Sequence, residues 1–174
     1  HSDVLRGTMD VENFDVGALL ALANQKEDRV GGAITSHIWV GGTRDNPSLG
    51  VTGEIAAGTV AGYPVTDAAV DVSLSNHVLT IDRLTGKQGD GAFSAAGSVD
   101  FNGMMDVDVT ANDIALGLFT GLAGVDEPVS GTGSVTAHVG GTSHSPVADV
   151  SLSAKNGGVR GGTFDALAGE IQVR

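Results

Sequence analysis

The chain contains a piece of itself twice. A shift of 99 residues places Gly32, Val40, Gly41, Gly42, Thr43, Pro47, Val51, Gly58, Val60, Gly62 and Ala69, without a gap, on Gly131, Val139, Gly140, Gly141, Thr142, Pro146, Val150, Gly157, Val159, Gly161 and Ala168. The register runs from Gly32 to Leu74 and from Gly131 to Val173. What recurs is an alternating strand, a Gly-Gly-Thr turn, a proline, a second strand and a glycine-spaced turn. That is the punctuation of a β-sheet, not of a catalytic centre, and it directs the search for function toward repetition.

Upstream the correspondence continues with an offset of 98. Asp10-Val11 falls on Asp108-Val109, Asp15 on Asp113, Val16 on Ile114 and Leu20 on Leu118, before one inserted residue restores 99. Each unit thus reads as a strand ending in Asp-Val, a short helix, and a run of strands. Residues 1–30 form the end of one unit with its helix, 31–125 a full β-unit ending in a second helix, and 126–174 a partial second β-unit. The chain reads as a section of a longer array, whose units bury their faces against neighbours.

The strand readings rest on period-two alternation. Ala68, Val70, Val72 and Leu74 share one face and Asp67, Asp71 and Ser73 the other. Val78 to Leu84 follows the Ser75-Asn76-His77 turn, Phe93, Ala95, Gly97 and Val99 alternate with small or polar residues, and Met105, Val107 and Val109 follow the Asn102-Gly103 turn. Ile34, Ser36, Ile38 and Val40 form one face of the first duplicated strand, matched by Gly133, Val135, Ala137 and Val139. Two stretches break the period. Val16, Leu19, Leu20 and Ala23 within Asp15 to Asn24, and Ile114, Leu116, Leu118, Phe119 and Leu122 within Asp113 to Ala123, recur at helical spacing behind an acidic residue. Each helix is expected to plug the apolar face of the sheet it interrupts.

Composition narrows the function classes. Hydrophobic residues make up 41% of the 174, but aromatics only 4%, with 27 glycines, so the apolar surface is built from Val, Ala, Leu and Ile. A net charge of −12 repels nucleic acid, whose binding rests on Lys and Arg neutralising phosphate, and disfavours an anionic membrane surface. The absence of cysteine leaves no disulfide framework and no thiolate metal site. No run of about 18 apolar residues is present.

Catalytic patterns are poor. Leu84-Thr85-Gly86-Lys87-Gln88 lacks the hydroxyl residue and earlier glycine of a phosphate-binding loop and reads as a turn. His37, His77, His138 and His144 show no ligand spacing and read as solvated strand and turn residues, with no acidic partner expected beside His138 and His144. Asp106, Asp108 and Asp113 suggest a hard-cation site on paper but lack the glycine-bearing loop of a calcium site. Gly131 to Ser134 lacks the second glycine of a nucleophile elbow. No enzyme, cofactor or metal is expected.

The string Val40-Gly41-Gly42-Thr43 to Pro47 and Gly58-Thr59-Val60-Ala61-Gly62, with its copy Val139 to Pro146 and Gly157 to Phe164, resembles the "v-x-G-T-x-x-x-P" punctuation of the TamB and AsmA-like envelope proteins. Gly89-Asp90-Gly91 before Phe93, then Gly97-Ser98-Val99, resembles a hairpin of the same group. The likeness covers most of Gly31 to Arg174. It departs at Gly41-Gly42, where one glycine would do, and at Phe164, which matches only Val65 in position. It implies a mainly β fold: an elongated antiparallel sheet curved into a taco-like apolar groove, built from ~99-residue repeats each carrying one short inserted helix. It further implies a periplasmic location in a protein anchored to the inner membrane outside this chain, and phospholipid or another acyl-chain ligand as cargo. The alternative job within the family is assembly of outer-membrane or autotransporter barrels, with a TamA/BamA-type barrel partner or unfolded barrel strands bound at an open edge.

On that reading the groove lining comprises Ile38, Val40, Val51, Ile55, Val70, Val72, Leu74, Leu79, Ile81, Phe93, Val99, Met105, Val107, Val109, Val150, Leu152, Ile171 and Val173. Patterning alone fits a closed sandwich core equally well; the resemblance favours the groove. Open sheet edges would also permit dimerisation of the chain. A β-rich adhesin or passenger domain is the rival class, but β-helical passengers repeat at shorter periods than this chain.

Overall fold

The computed structural model describes residues 4–15, 30–44, 46–122, 129–142 and 144–174. Ten strands occupy them: β1 (Gly7–Asp15), β2 (Val30–Gly42), β3 (Pro47–Val60), β4 (Tyr63–Ser75), β5 (Val78–Gln88), β6 (Gly91–Asp100), β7 (Met105–Ala115), β8 (Val129–Thr142), β9 (Ser145–Val159) and β10 (Gly162–Val173), with one helix, α1 (Leu116–Leu122), between β7 and β8. The strands form a single open antiparallel sheet in sequence order, β1 to β10.

Local chemistry accounts for the meander. Two-residue loops match strand twist with positive φ at one or both central positions: Ala61-Gly62, Asn76-His77 and Arg160-Gly161 have it at both, and Gly89-Asp90 at the first. The Gly-Gly-Thr turns work differently. Gly42 and Gly141 both sit at φ 84, a backbone open to glycine at no steric cost. The following threonine closes each loop, since Thr43 Oγ1 accepts from the Asn46 amide at 3.1 Å and Thr142 Oγ1 from the Ser145 amide at 3.1 Å.

Residues matched at an offset of 99 have like partners in the ladders. Ile38 faces Val51 and Gly42 faces Pro47, as Ala137 faces Val150 and Gly141 faces Pro146. Upstream, however, the ladders use an offset of 100, not 98. Val11 faces Ser36 and Ala111 faces Val135; the register then slips between Val11 and Phe14, and between Ala111 and Ile114. Asn13 and Asp113, inside the two slips, share positive φ, and the isolated bridges Val4–Thr43 and Met104–Thr142 obey the same offsets. The Asp-Val match at 98 is therefore displaced by two residues along the ladder.

Those slips are β-bulges, which add a residue to one strand, bend it and increase its twist. Asn13, Asp67, Asp113 and Asn156 occupy strands at φ 50 to 52, a region that Asn and Asp tolerate better than other side chains. At Asp67 the bulge shifts the alternation by one, so Val65 turns to the same side as Ala68 and becomes buried.

This corrects the helix boundaries. Asp113 and Ile114 belong to β7, and the Asp113 amide donates to Ser134 Oγ at 3.1 Å. The helix begins only at Leu116 and has no acidic first turn. At its start the Ala115 amide donates to Gln88 Oε1, buried at the end of β5, at 2.8 Å. Of the first expected helix, only Asp15 is described, as the last residue of β1; residues 16–24 lie outside the described residues.

The core is small. Val65, Ala111, Ile114 and Leu118 form one buried cluster, with Val60, Tyr63, Ala68, Phe93 and Phe119 packed against it. The helix thus covers one end of one face, where Gly117 lets the Tyr63 ring approach its backbone.

Candidate functional site

Strand pairing decides which side chains share a face, because directly opposed residues project the same way. From edge to edge, Met9, Ile38, Val51, Val72, Ile81, Gly97, Val107, Val139, Ala148 and Val173 are successive partners. Every member is apolar. At a strand spacing of about 4.8 Å this row extends about 43 Å along the sheet.

Three further rows lie beside it. Val40, Leu49, Leu74, Leu79, Val99 and Met105 form one. Val70, Leu84, Ala95, Val109, Ala137, Val150 and Ile171 form another. Nearer the helix, Phe93, Ala111, Val135 and Leu152 are successive partners, and Ile55 faces Ala68 on the same side. The pairing thus places all eighteen residues of the expected lining on one face.

The expected lining left out Met9, Leu49, Leu84, Val135, Val139 and Leu167, which share this face. Leu84 follows Ile81 by three residues, because the register slips between them. That odd apolar spacing was the available signal.

No second sheet is paired to this one among the described residues, and α1 covers only its end. The face is consequently half-open: Met9 is 55% exposed, Leu84 38%, Leu167 53% and Ile171 51%. A soluble monomer rarely leaves so continuous an apolar surface uncovered unless something binds it.

The opposite face is polar. Asp10, His37, Thr52, Asp71 and Arg83 are successive partners across β1 to β5, and Ala96, Asp108, His138, Asp149 and Gln172 across β6 to β10. Shallow hollows of about 410 and 500 Å³ lie on this side, the first between Asp10, His37 and Arg83 and the second between Asn13, Glu54 and Asp67.

His138 has the acidic partner the sequence reading denied it. Its Nδ1 lies 2.9 Å from Asp108 Oδ1 and 3.8 Å from Asp106 Oδ1. The hydrogen bond to Asp108 is the main cause raising its pKa above 6.5, opposed by desolvation and assisted by the charges of Asp108, Asp106 and Asp149. Cross-strand neighbours 30 residues apart carry no spacing signature. His37 is likewise bonded to Asp10 on the neighbouring strand. The donor atoms of Asp106, Asp108 and His138 lie within 4.8 Å of one another, all on exposed residues. Asp113, grouped with the two aspartates on paper, is at the β7 bulge instead. His77 occupies the β4–β5 turn and His144 the β8–β9 connection, both exposed.

Fold and site together define a single-sheet antiparallel β protein with one apolar and one polar face. No protein-family model, curated protein or solved structure matches the chain.

Proposed function

We propose that this chain is a section of a periplasmic conduit of the TamB and AsmA-like type, in which the apolar face of the sheet carries phospholipid acyl chains. In this reading residues 31–125 form one complete ~99-residue unit, and bulges at Asn13, Asp67, Asp113 and Asn156 curve the sheet into a groove. The protein acts by solvation and has no catalytic task.

One observation carries the reading: the apolar row from Met9 to Val173 crosses all ten strands, and among the described residues no second sheet is paired over it. Burying a dozen methylenes there would gain about 10 kcal/mol gross, at about 0.8 kcal/mol each, before immobilisation is subtracted. Headgroups would remain in water beyond the rim. No helix among the described residues is long and apolar enough to cross a membrane, so in this reading the inner-membrane anchor belongs to another segment.

Native mass spectrometry of the chain purified from a diderm host, with organic extraction, tests the proposal. Stoichiometric phospholipid supports it. A lipid-free protein that also fails to take up a fluorescent fatty acid overturns it.

A second reading, assembly of outer-membrane barrel strands, draws on the same half-open apolar face, which would take apolar side chains as readily as acyl chains. Competition between a barrel-strand peptide and lipid separates the two.

A further inference from the structure

The apolar face continues beneath α1. Ile114, Gly133, Ala154 and Leu167 are successive partners from β7 to β10, and the row runs from Ile114, fully buried, through Ala154, 3% exposed, to Leu167, 53% exposed. Leu118, itself buried, packs with Val65, Ala111 and Ile114, and Leu116 lies over Gly133. On another side of the helix the Tyr63 hydroxyl stands where Gly117 would carry a side chain, and Gly121 abuts Ala61 in the β3–β4 turn. The helix therefore straps the face from β8 to that turn, with its apolar side chains where an acyl chain would rest.

Little besides this packing orders the helix. Gly117, Thr120 and Gly121 are three of its seven residues, all poor helix formers, and seven residues are too few to persist as a helix in water. Its first turn has no acidic residue and its last no basic one, so neither end gains from the helix dipole. The bond from Gln88 falls on Ala115, before the helix begins. Seating of Leu118 and Phe119 on the sheet is what remains.

We propose that α1 is a displaceable lid on the acyl-chain surface, covering Val65, Ala68, Ala111 and Ile114 until a bound chain takes its place. The exchange replaces one apolar partner of these residues by another, so burial on the sheet is kept while the helix loses the packing that orders it. The lid opposes uptake by as much as its own seating is worth, and without cargo it shields part of an otherwise bare apolar surface. The inference rests on the acyl-chain reading proposed above.

The test uses the whole chain, whose lack of cysteine permits a single engineered disulfide. A Cβ at Gly121 would stand 2.8 Å from the Ala61 Cβ, about 1 Å inside the usual disulfide spacing, which a small outward shift of the helix end relieves. The Ala61→Cys/Gly121→Cys chain, its bond verified by thiol titration, should bind a fluorescent fatty acid about tenfold more weakly oxidised than reduced, a size usual for coupled equilibria. Leu118→Ala loosens the lid and leaves the side chains of the sheet in place. It should bind the fatty acid more tightly than wild type, with circular dichroism verifying that the sheet persists. Hydrogen exchange of the α1 amides in the wild type should quicken when the fatty acid binds. Equal binding by the oxidised and reduced forms, binding by Leu118→Ala no tighter than wild type, or α1 amides protected by the ligand overturns the inference and leaves the acyl-chain reading standing. A wild-type chain that takes up no fatty acid overturns both.

Discussion

Phe93 lies over Gly86. The two are direct partners across β5 and β6, and a Cβ at Gly86 would clash with the Phe93 ring. Phe164 over Gly157, across β10 and β9, repeats the arrangement. An aromatic side chain thereby covers backbone that glycine leaves bare, and at Gly86 it also reaches the small core around Ile114.

Gly86→Val should accordingly destabilise the chain by about 1–3 kcal/mol through overpacking. The comparison is between denaturant midpoints of Gly86→Val, Phe93→Ala and the double variant. The pair should be non-additive, since Phe93→Ala removes the ring that a new side chain strikes. Additive effects would show that the ring does not depend on the glycine.

Ile114 is the one fully buried large side chain among the described residues. Ile114→Ala should lower stability by about 2–5 kcal/mol, the range for emptying a packed core site. Because Ile114 joins Leu118 to the sheet, hydrogen exchange should quicken in α1 before it does in β3. Uniform acceleration throughout the sheet would contradict that order.

Val72 is on the central apolar row and Leu152 on the row nearer the helix. Val72→Asp or Leu152→Asp should impair acyl-chain uptake while leaving strand content by circular dichroism largely intact, since a carboxylate on a half-open face stays hydrated. Normal uptake by both variants would remove the apolar face from consideration as the carrier surface.

His138 gives the stability a pH dependence of definite sign. Its pKa is raised in the folded chain, chiefly by the hydrogen bond to Asp108, so the protonated form is the one the fold favours. The contribution is fully present below the unfolded value of 6.5 and fades as pH rises through the raised folded value. The stability difference between wild type and His138→Gln should therefore shrink from pH 6 to pH 8. In an imidazole NMR titration, Asp108→Asn should bring the His138 pKa down toward 6.5. An unchanged pKa would transfer the effect from Asp108 to its neighbours.

Alternation proved sufficient for the long strands. Ala68, Val70, Val72 and Leu74 stand on one face as their spacing requires, and the Gly-Gly-Thr turns fall where the sequence puts them. Bulges are what it concealed. Val11 and Phe14, Val65 and Ala68, Ile81 and Leu84, and Ala111 and Ile114 are each three residues apart across a slip in register. Three is also a helical spacing, which is why the approach to α1 read as helix from Asp113 onward. The resulting errors were local: a helix three residues too long at its start, a turn read at Leu84 to Gln88 where β5 continues, and apolar residues such as Leu84 omitted from the face.

By itself the sequence determined the secondary structure and the separation of apolar from polar faces, because a period of two is a property of each strand alone. It also placed the two Gly-Gly-Thr turns 99 residues apart. Only the tertiary structure decided that ten strands share one open sheet, that the upstream offset in the ladders is 100, and that His138 sits against Asp108. Those outcomes depend on which residues face one another across strands, and cross-strand partners about 30 positions apart leave no mark on local spacing.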